Sequence, residues 1–194
     1  MPTQSRTERI KQVAAQRQNG VVVLEDIHDP HNAAAVLRTC EAFGFQKVFF
    51  IFGKQKKFNP KKIGKATSSS ANKWLDFKIF DSTENCLRDL KKQGYTTYAT
   101  VLDEKARTLF KASFTEPKTA LLFGNEHSGL SETALKLADK KIYIPMKGFV
   151  QSLNLSVTAA ICLYEVSRQR QRHLEKFLLG KKERLELQKN WLKK

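Results

Sequence analysis

The sequence predicts an α/β domain, a mainly parallel sheet flanked by helices. Three observations lead there. Short apolar or β-rich runs recur along the chain, such as VVVL at 21–24 and VFFIF at 48–52. Runs that are apolar at nearly every position suit strands buried on both faces, as parallel sheets require. Stretches compatible with helix separate these runs, which is the alternation of a parallel sheet covered on both sides. The length, 194 residues, suffices for one well-buried domain but not for two with separate cores.

The N-terminal segment 3–18 is polar and helix-compatible. Strands are expected at 21–24 and 48–52, with a helix at 32–43 between them. Asp29 and Pro30 after a strand, followed by Asn32, read as a turn feeding the start of this helix. Next comes GKQKKFNPKKIGKATSSSANKW, a long basic loop over 53–74 of the kind usually tied to function. A helix at 83–92, strands at 98–102 and 120–123, a helix at 131–138, a strand at 142–144 and a helix at 152–170 complete the core. Beyond it, Leu174, Leu178, Leu185 and Leu192, with Phe177 and Trp191 beside them, make an amphipathic tail interrupted at Gly180. The chain thus divides into a basic helical extension (1–19), a core (20–167) and a basic amphipathic helical tail (168–194).

The net charge of +16 is segregated: +3 over residues 1–19, +6 over 54–65 and +7 over 168–194, with the remaining chain neutral. Positive charge gathered into separate segments is the footprint of a polyanion, most often nucleic acid. No apolar run approaches the roughly 20 residues of a membrane span, and the N-terminus has no signal-peptide pattern, so a cytoplasmic location is expected. Cys40, Cys86 and Cys162 are far apart and in no C-x-x-C pair, which suggests neither a disulfide framework nor a metal site.

Three constellations are candidates for chemistry. In HDPHNAAAVLRTCEAFG (28–44), Val36, Cys40 and Phe43 share one helix face, and Arg38 points away from it among Ala34, Ala35 and Ala42. In LLFGNEHSGLS (121–131), Gly124 and Gly129 have the spacing of a phosphate-binding loop. That chemistry fails, because Leu130 stands where the lysine belongs and Glu126 would repel a polyphosphate, so a nucleotide hydrolase is disfavoured. Asn125 suits either a ligand contact or a turn position, and His127 reads as an exposed loop residue. In the segment 144–165, Gln151, Ser152, Asn154 and Ser156 crowd the start of an otherwise apolar helix. One or two of them would serve as N-caps; the full cluster suits an adenine, a ribose or an amide.

In this order and close to this spacing, the three stretches resemble the three motifs of the SPOUT superfamily of methyltransferases, and within it the TrmH-like tRNA 2′-O-methyltransferases. PHNAAAVLRTCEAFG resembles motif 1, LLFGNEHSGLSE motif 2 and IPMKGFVQSLNLSVTAAICLYEVSRQRQ motif 3. The resemblance spans about residues 20–170. It implies a SPOUT fold with a C-terminal deep trefoil knot, S-adenosyl-L-methionine (AdoMet) as cofactor, RNA as partner and a homodimer. It also implies cofactor contacts at Thr100, Leu102, Gly124, Asn125, Ile144, Met146 and Leu153. Arg38 takes the place of the family's catalytic arginine, with Asn32, Glu126, Ser152 and Asn154 at its other polar site positions. The short basic extensions at both ends resemble enzymes that methylate guanosine 18 of the tRNA D-loop. The alternatives are a ribosomal RNA 2′-O-methyltransferase of the same superfamily and an RNA-binding protein without catalysis.

Overall fold

The computed structural model describes residues 3–63 and 71–194, so 64–70 of the expected basic loop lie outside the described residues. Its centre is a seven-stranded sheet, every neighbouring pair of which is parallel. The strands are β1 (Gln18–Glu25), β2 (Phe45–Ile51), β3 (Asp76–Phe80), β4 (Thr96–Thr100), β5 (Arg107–Thr108), β6 (Thr119–Phe123) and β7 (Lys140–Tyr143). They lie in the order β3-β2-β1-β6-β4-β7-β5. The α/β expectation holds, with two strands the sequence reading missed. β3 is an edge strand whose residues are exposed or half-buried, and β5 has only two residues, so neither offers an apolar run.

The helices are α1 (Gln4–Ala15), α2 (Pro30–Ala42), α3 (Thr83–Lys92), α4 (Glu132–Leu137), α5 (Leu155–Arg170) and α6 (Lys181–Leu192). Along β1, Val22 and Leu24 join a core with Val36, Leu37 and Cys40 of α2 and Ala159, Cys162 and Leu163 of α5. Val21 and Val23 face the other way, onto Cys86, Leu87 and Leu90 of α3 and Ala134 of α4. The three cysteines are free and buried, and fill space in the core. On α2, Ala34 is fully buried and belongs to the core face, which corrects its expected place beside Arg38; Arg38 and Ala42 are exposed.

The termini form a third cluster, in which Ile10 and Ala14 of α1 pack with Leu187 and Trp191 of α6 and with Leu179 just before it. The expected leucine stripe is only partly right: Leu185 is 49% exposed, while Phe177, Leu179, Leu187 and Trp191 are buried. The reason is a break in the helix. The chain kinks at His173, and Leu178 forms a bridge to Gln18. Gly180 then starts α6 afresh, its N–H donating to Glu183, so the helical register expected across the tail does not carry through. Among the described residues no helix is long and apolar enough to cross a membrane.

Candidate functional site

Because the strands are all parallel, their carboxyl ends lie along one side, where α/β sheets bind ligands. Leu24 of β1 pairs with Phe123 of β6, and Thr100 of β4 pairs with Ile142 of β7, so the segments that follow these strands emerge side by side. Together they enclose a cleft of about 880 Å³. Its walls include His28, Asp29 and Asn32 from the start of α2, Thr100 to Leu102 after β4, Gly124 to Leu130 after β6 and Gln151 to Leu155 before α5.

A chain of polar side chains crosses this cleft. Both oxygens of Glu126 are occupied: Oε1 accepts from Asn32 Nδ2 at 2.9 Å and Asp29 N at 3.3 Å, and Oε2 accepts from His28 N at 2.9 Å. Those two N–H groups lie at the entry to α2, whose N-cap is Asp29, so the carboxylate also meets the positive end of a helix dipole. Burial alone would raise the Glu126 carboxyl. The hydrogen bonds from Asn32 and the His28 and Asp29 backbone outweigh it and hold the group below its ordinary value. Asn32 Oδ1 accepts from Asn154 Nδ2 at 3.1 Å, and Asn154, the N-cap of α5, accepts in turn from the N and Oγ of Ser156. Three of the five expected catalytic positions, Asn32, Glu126 and Asn154, are thus one connected unit.

The loop after β6 owes its shape to its glycines and to Asn125. Asn125 and Gly129 exchange both backbone hydrogen bonds, at 3.0 and 2.9 Å. A Cβ on Gly124 would lie 2.2 Å from the Gly129 carbonyl carbon, so no larger residue fits there. Gly129 has φ +69°, in the left-handed region. The Asn125 side chain donates to Asp26 O at 2.7 Å and accepts from His127 N and Ser128 N. These bonds put the Asn125 side chain in the expected turn position, while the residue also lines the cleft.

Thr100, Leu102, Gly124, Asn125 and Leu153 line the cleft. Ile144 and Met146 line a cavity of about 30 Å³ that shares Thr100, Leu102, Ser152 and Leu153 with it. The seven expected cofactor positions are therefore brought together. The lining suits AdoMet: apolar side chains (Leu102, Leu130, Leu153) for a flat base, a glycine cradle that admits close backbone approach, and, among the described residues, no lysine to demand a phosphate. Ser152 lines the cleft and is exposed. Arg38 is not among the lining residues; it stands exposed on α2, six positions beyond Asn32.

Two acidic residues that the sequence reading passed over also shape the site. Glu25, only 2% exposed, accepts from Thr83 Oγ1 and from the N and Oγ of Ser131, tying the end of β1 to the starts of α3 and α4. Asp26 follows it with φ +49°. The signal was present in VVVLED, a pair of carboxylates at the carboxyl end of an apolar strand.

A sequence model of the SpoU rRNA methylase family matches residues 19–164. Among curated proteins, the tRNA (guanosine(18)-2′-O)-methyltransferase of Thermus thermophilus is 44% identical over 171 residues, covering 87% of this chain and 84% of that protein. Among solved structures, the TrmH/SpoU tRNA modifying enzyme of A. aeolicus superposes with a TM-score of 0.84 at 32% identity, covering 96% of this chain and 94% of that one. The SpoU methyltransferase AviRb of Streptomyces viridochromogenes, solved in complex with AdoMet, gives 0.70 at 27% identity, with 80% and 62% covered.

Proposed function

Because this chain belongs to the SpoU rRNA methylase family, we propose that it is an AdoMet-dependent tRNA methyltransferase acting on the ribose 2′-OH of guanosine 18, as a cytoplasmic homodimer. The observation that carries the reading is the Glu126–Asn32–Asn154 unit set across a cleft whose lining suits AdoMet. The T. thermophilus relative bears on the choice of RNA, and so does the segregated basic charge at both ends of the chain.

Bound AdoMet supplies an electrophilic methyl carried on a sulfonium. Gly124, Leu102, Ile144, Met146 and Leu153 form the shell that holds it. Glu126 is poorly suited to act as a general base, since both its oxygens already accept hydrogen bonds and its carboxyl is held low. Its part is to fix Asn32 and the start of α2. Ser152 and Asn154 offer hydrogen bonds to the ribose. Arg38 grips the RNA phosphate next to the reacting hydroxyl in a bidentate pair, placing that hydroxyl and stabilising the charge it develops; a protonated guanidinium has no acceptor of its own for the proton. Since Arg38 does not line its own chain's cleft, a second copy of the chain presents it there. The terminal extensions, 1–19 and 168–194, hold the rest of the tRNA.

The test is transfer of labelled methyl from AdoMet to unmodified tRNA and ribosomal RNA transcripts, with the modified nucleotide mapped. Label on the guanosine 18 2′-oxygen is expected. Arg38→Ala abolishes transfer and leaves AdoMet binding in place. Label confined to ribosomal RNA would overturn the substrate, and AdoMet binding without transfer to any RNA would leave a binding protein.

A further inference from the structure

The strained backbone at Asp26 and the basic segment after β2 belong to one device. Asp26 is the only non-glycine residue with positive φ among the described residues. Such a conformation costs free energy and persists where its surroundings hold it. What holds it is visible. One carboxylate oxygen, Oδ1, accepts three consecutive backbone N–H groups: Gly53 at 2.8 Å, Lys54 at 2.9 Å and Gln55 at 3.1 Å. The Asp26 carbonyl accepts from the Asn125 side chain at 2.7 Å. One residue therefore clamps the start of the basic segment from one side and the cleft loop from the other.

The basic segment is itself anchored with its lysines turned outward. Phe58 packs on Phe52 and Phe50 with ring centroids 4.9 and 5.7 Å away. Pro60 and Ile63 are buried, and the Asn72 side chain donates to the carbonyls of Lys61 and Ile63. Lys54, Lys56, Lys61 and Lys62 are exposed, while Lys57 pairs with Asp81. The segment also abuts the cleft: the Gln55 amide oxygen lies 3.5 Å from Nδ1 of His28, a residue of the cleft wall. A ridge of cations fixed at the rim of a site for RNA is placed to take backbone phosphates.

We infer that residues 53–62 form a preorganised phosphate-binding ridge for the substrate RNA, and that Asp26 is the positioning residue that holds this ridge in register with the cleft loop through Asn125. The inference rests on the RNA methyltransferase reading above. A clamp of this kind acts on RNA affinity and on placement of the nucleotide, not on the cofactor, whose shell Asp26 does not line.

Three variants separate the contributions. Asp26→Gly tolerates the positive φ but removes the one oxygen that accepts the three N–H groups; Asp26→Asn keeps an acceptor oxygen and also tolerates that φ; Lys54→Ala/Lys56→Ala removes two of the cations. The measurements are hydrogen exchange of the Gly53–Gln55 amides, tRNA binding as a function of salt, AdoMet binding, and KM and kcat for tRNA. Asp26→Gly is expected to lose protection at those amides, raise KM for tRNA about tenfold with a smaller change in kcat, and leave AdoMet affinity within about twofold. Its log–log salt slope becomes shallower by about one to two units, the loss of one or two phosphate contacts. Asp26→Asn keeps most of the RNA affinity. Adding the lysine pair to Asp26→Gly weakens binding less than the two changes taken separately, since both act on one contact. Lost amide protection with an unchanged KM and salt slope would overturn the coupling while leaving the function intact. A wild-type chain that binds no RNA would overturn the function, and with it the ridge, although the amide protection would still report the clamp.

Discussion

Glu126 shows how one residue organises a site without reacting in it. Three donors converge on its carboxylate, two of them backbone N–H groups at the entry to α2, ahead of the helix's own hydrogen-bond ladder. Glu126→Gln keeps one oxygen but brings an NH2 group against that set of donors. The expected cost is about 1.5–3 kcal/mol, that of a hydrogen bond to a charged group, read as a lower midpoint of thermal unfolding. The pH dependence follows from the direction of the shift. The carboxyl is held below its ordinary value of 4.5, so its contribution is complete above that value and is lost as pH falls through the folded-state value. The variant should therefore show a flatter acid limb in a melting-temperature profile between pH 3 and pH 6. An acid limb identical to wild type would mean that the carboxylate does not hold the start of α2. Glu126 and Asn154 were legible in the sequence as polar residues beside apolar runs, and Asn32 entered the candidate site only through the resemblance to the SPOUT motifs. What was hidden is that they bond to one another, because the spacing along a chain says nothing of which loops a parallel sheet sets side by side.

Among the elements, α6 carries the clearest energetic argument. Trp191 is 2% exposed, meets Trp74 edge-on at 5.4 Å and has the Arg17 guanidinium 5.1 Å from its ring. Arg17 is buried as well, which lowers its pKa against the opposing pull of Glu41, whose Oε1 accepts from Arg17 Nη2 at 2.7 Å. The indole Nε1 has no hydrogen-bond partner among the described residues. Trp191→Ala is expected to cost about 3–5 kcal/mol as the α1–α6 cluster loses its largest side chain. Trp191→Phe should cost less than half as much, since it keeps most of the ring packing and removes the unpartnered N–H. Denaturant unfolding of the two variants checks this ordering, and equal losses would refute it. The same helix marks where sequence reading stopped. Strands buried on both faces announce themselves, as VVVL in β1 does. β3 and β5 do not, and the α6 stripe was misread because a kink at His173 and an extended stretch before Gly180 reset the helical phase.

The molecule taken whole has an apolar surface that its described residues leave exposed. α5 buries Leu155, Ala159, Cys162, Leu163 and Val166 in the core. Its other side carries Val157, 45% exposed, and Tyr164, 57% exposed, with half-buried Ala160 and Ile161 between them. Positions 157, 160, 161 and 164 form one stripe, so the helix is apolar on both sides, as expected of a helix that is enclosed. Tyr164 meets Phe43 at the end of α2, the helix that bears Arg38. A second copy docked there by a two-fold axis would cover the stripe and bring Arg38 from each chain toward the other. Tyr164→Asp should then yield a monomer in sedimentation experiments, with methyl transfer lost and AdoMet still bound. Mixing gives a sharper test. Arg38→Ala and Gly124→Ala are each expected to be inactive, the first lacking the guanidinium and the second the loop that a Cβ would break. If the arginine acts across the interface, half of the re-formed dimers are mixed and one of their two sites is whole, so about a quarter of wild-type activity returns. If each chain uses its own Arg38, mixing restores nothing.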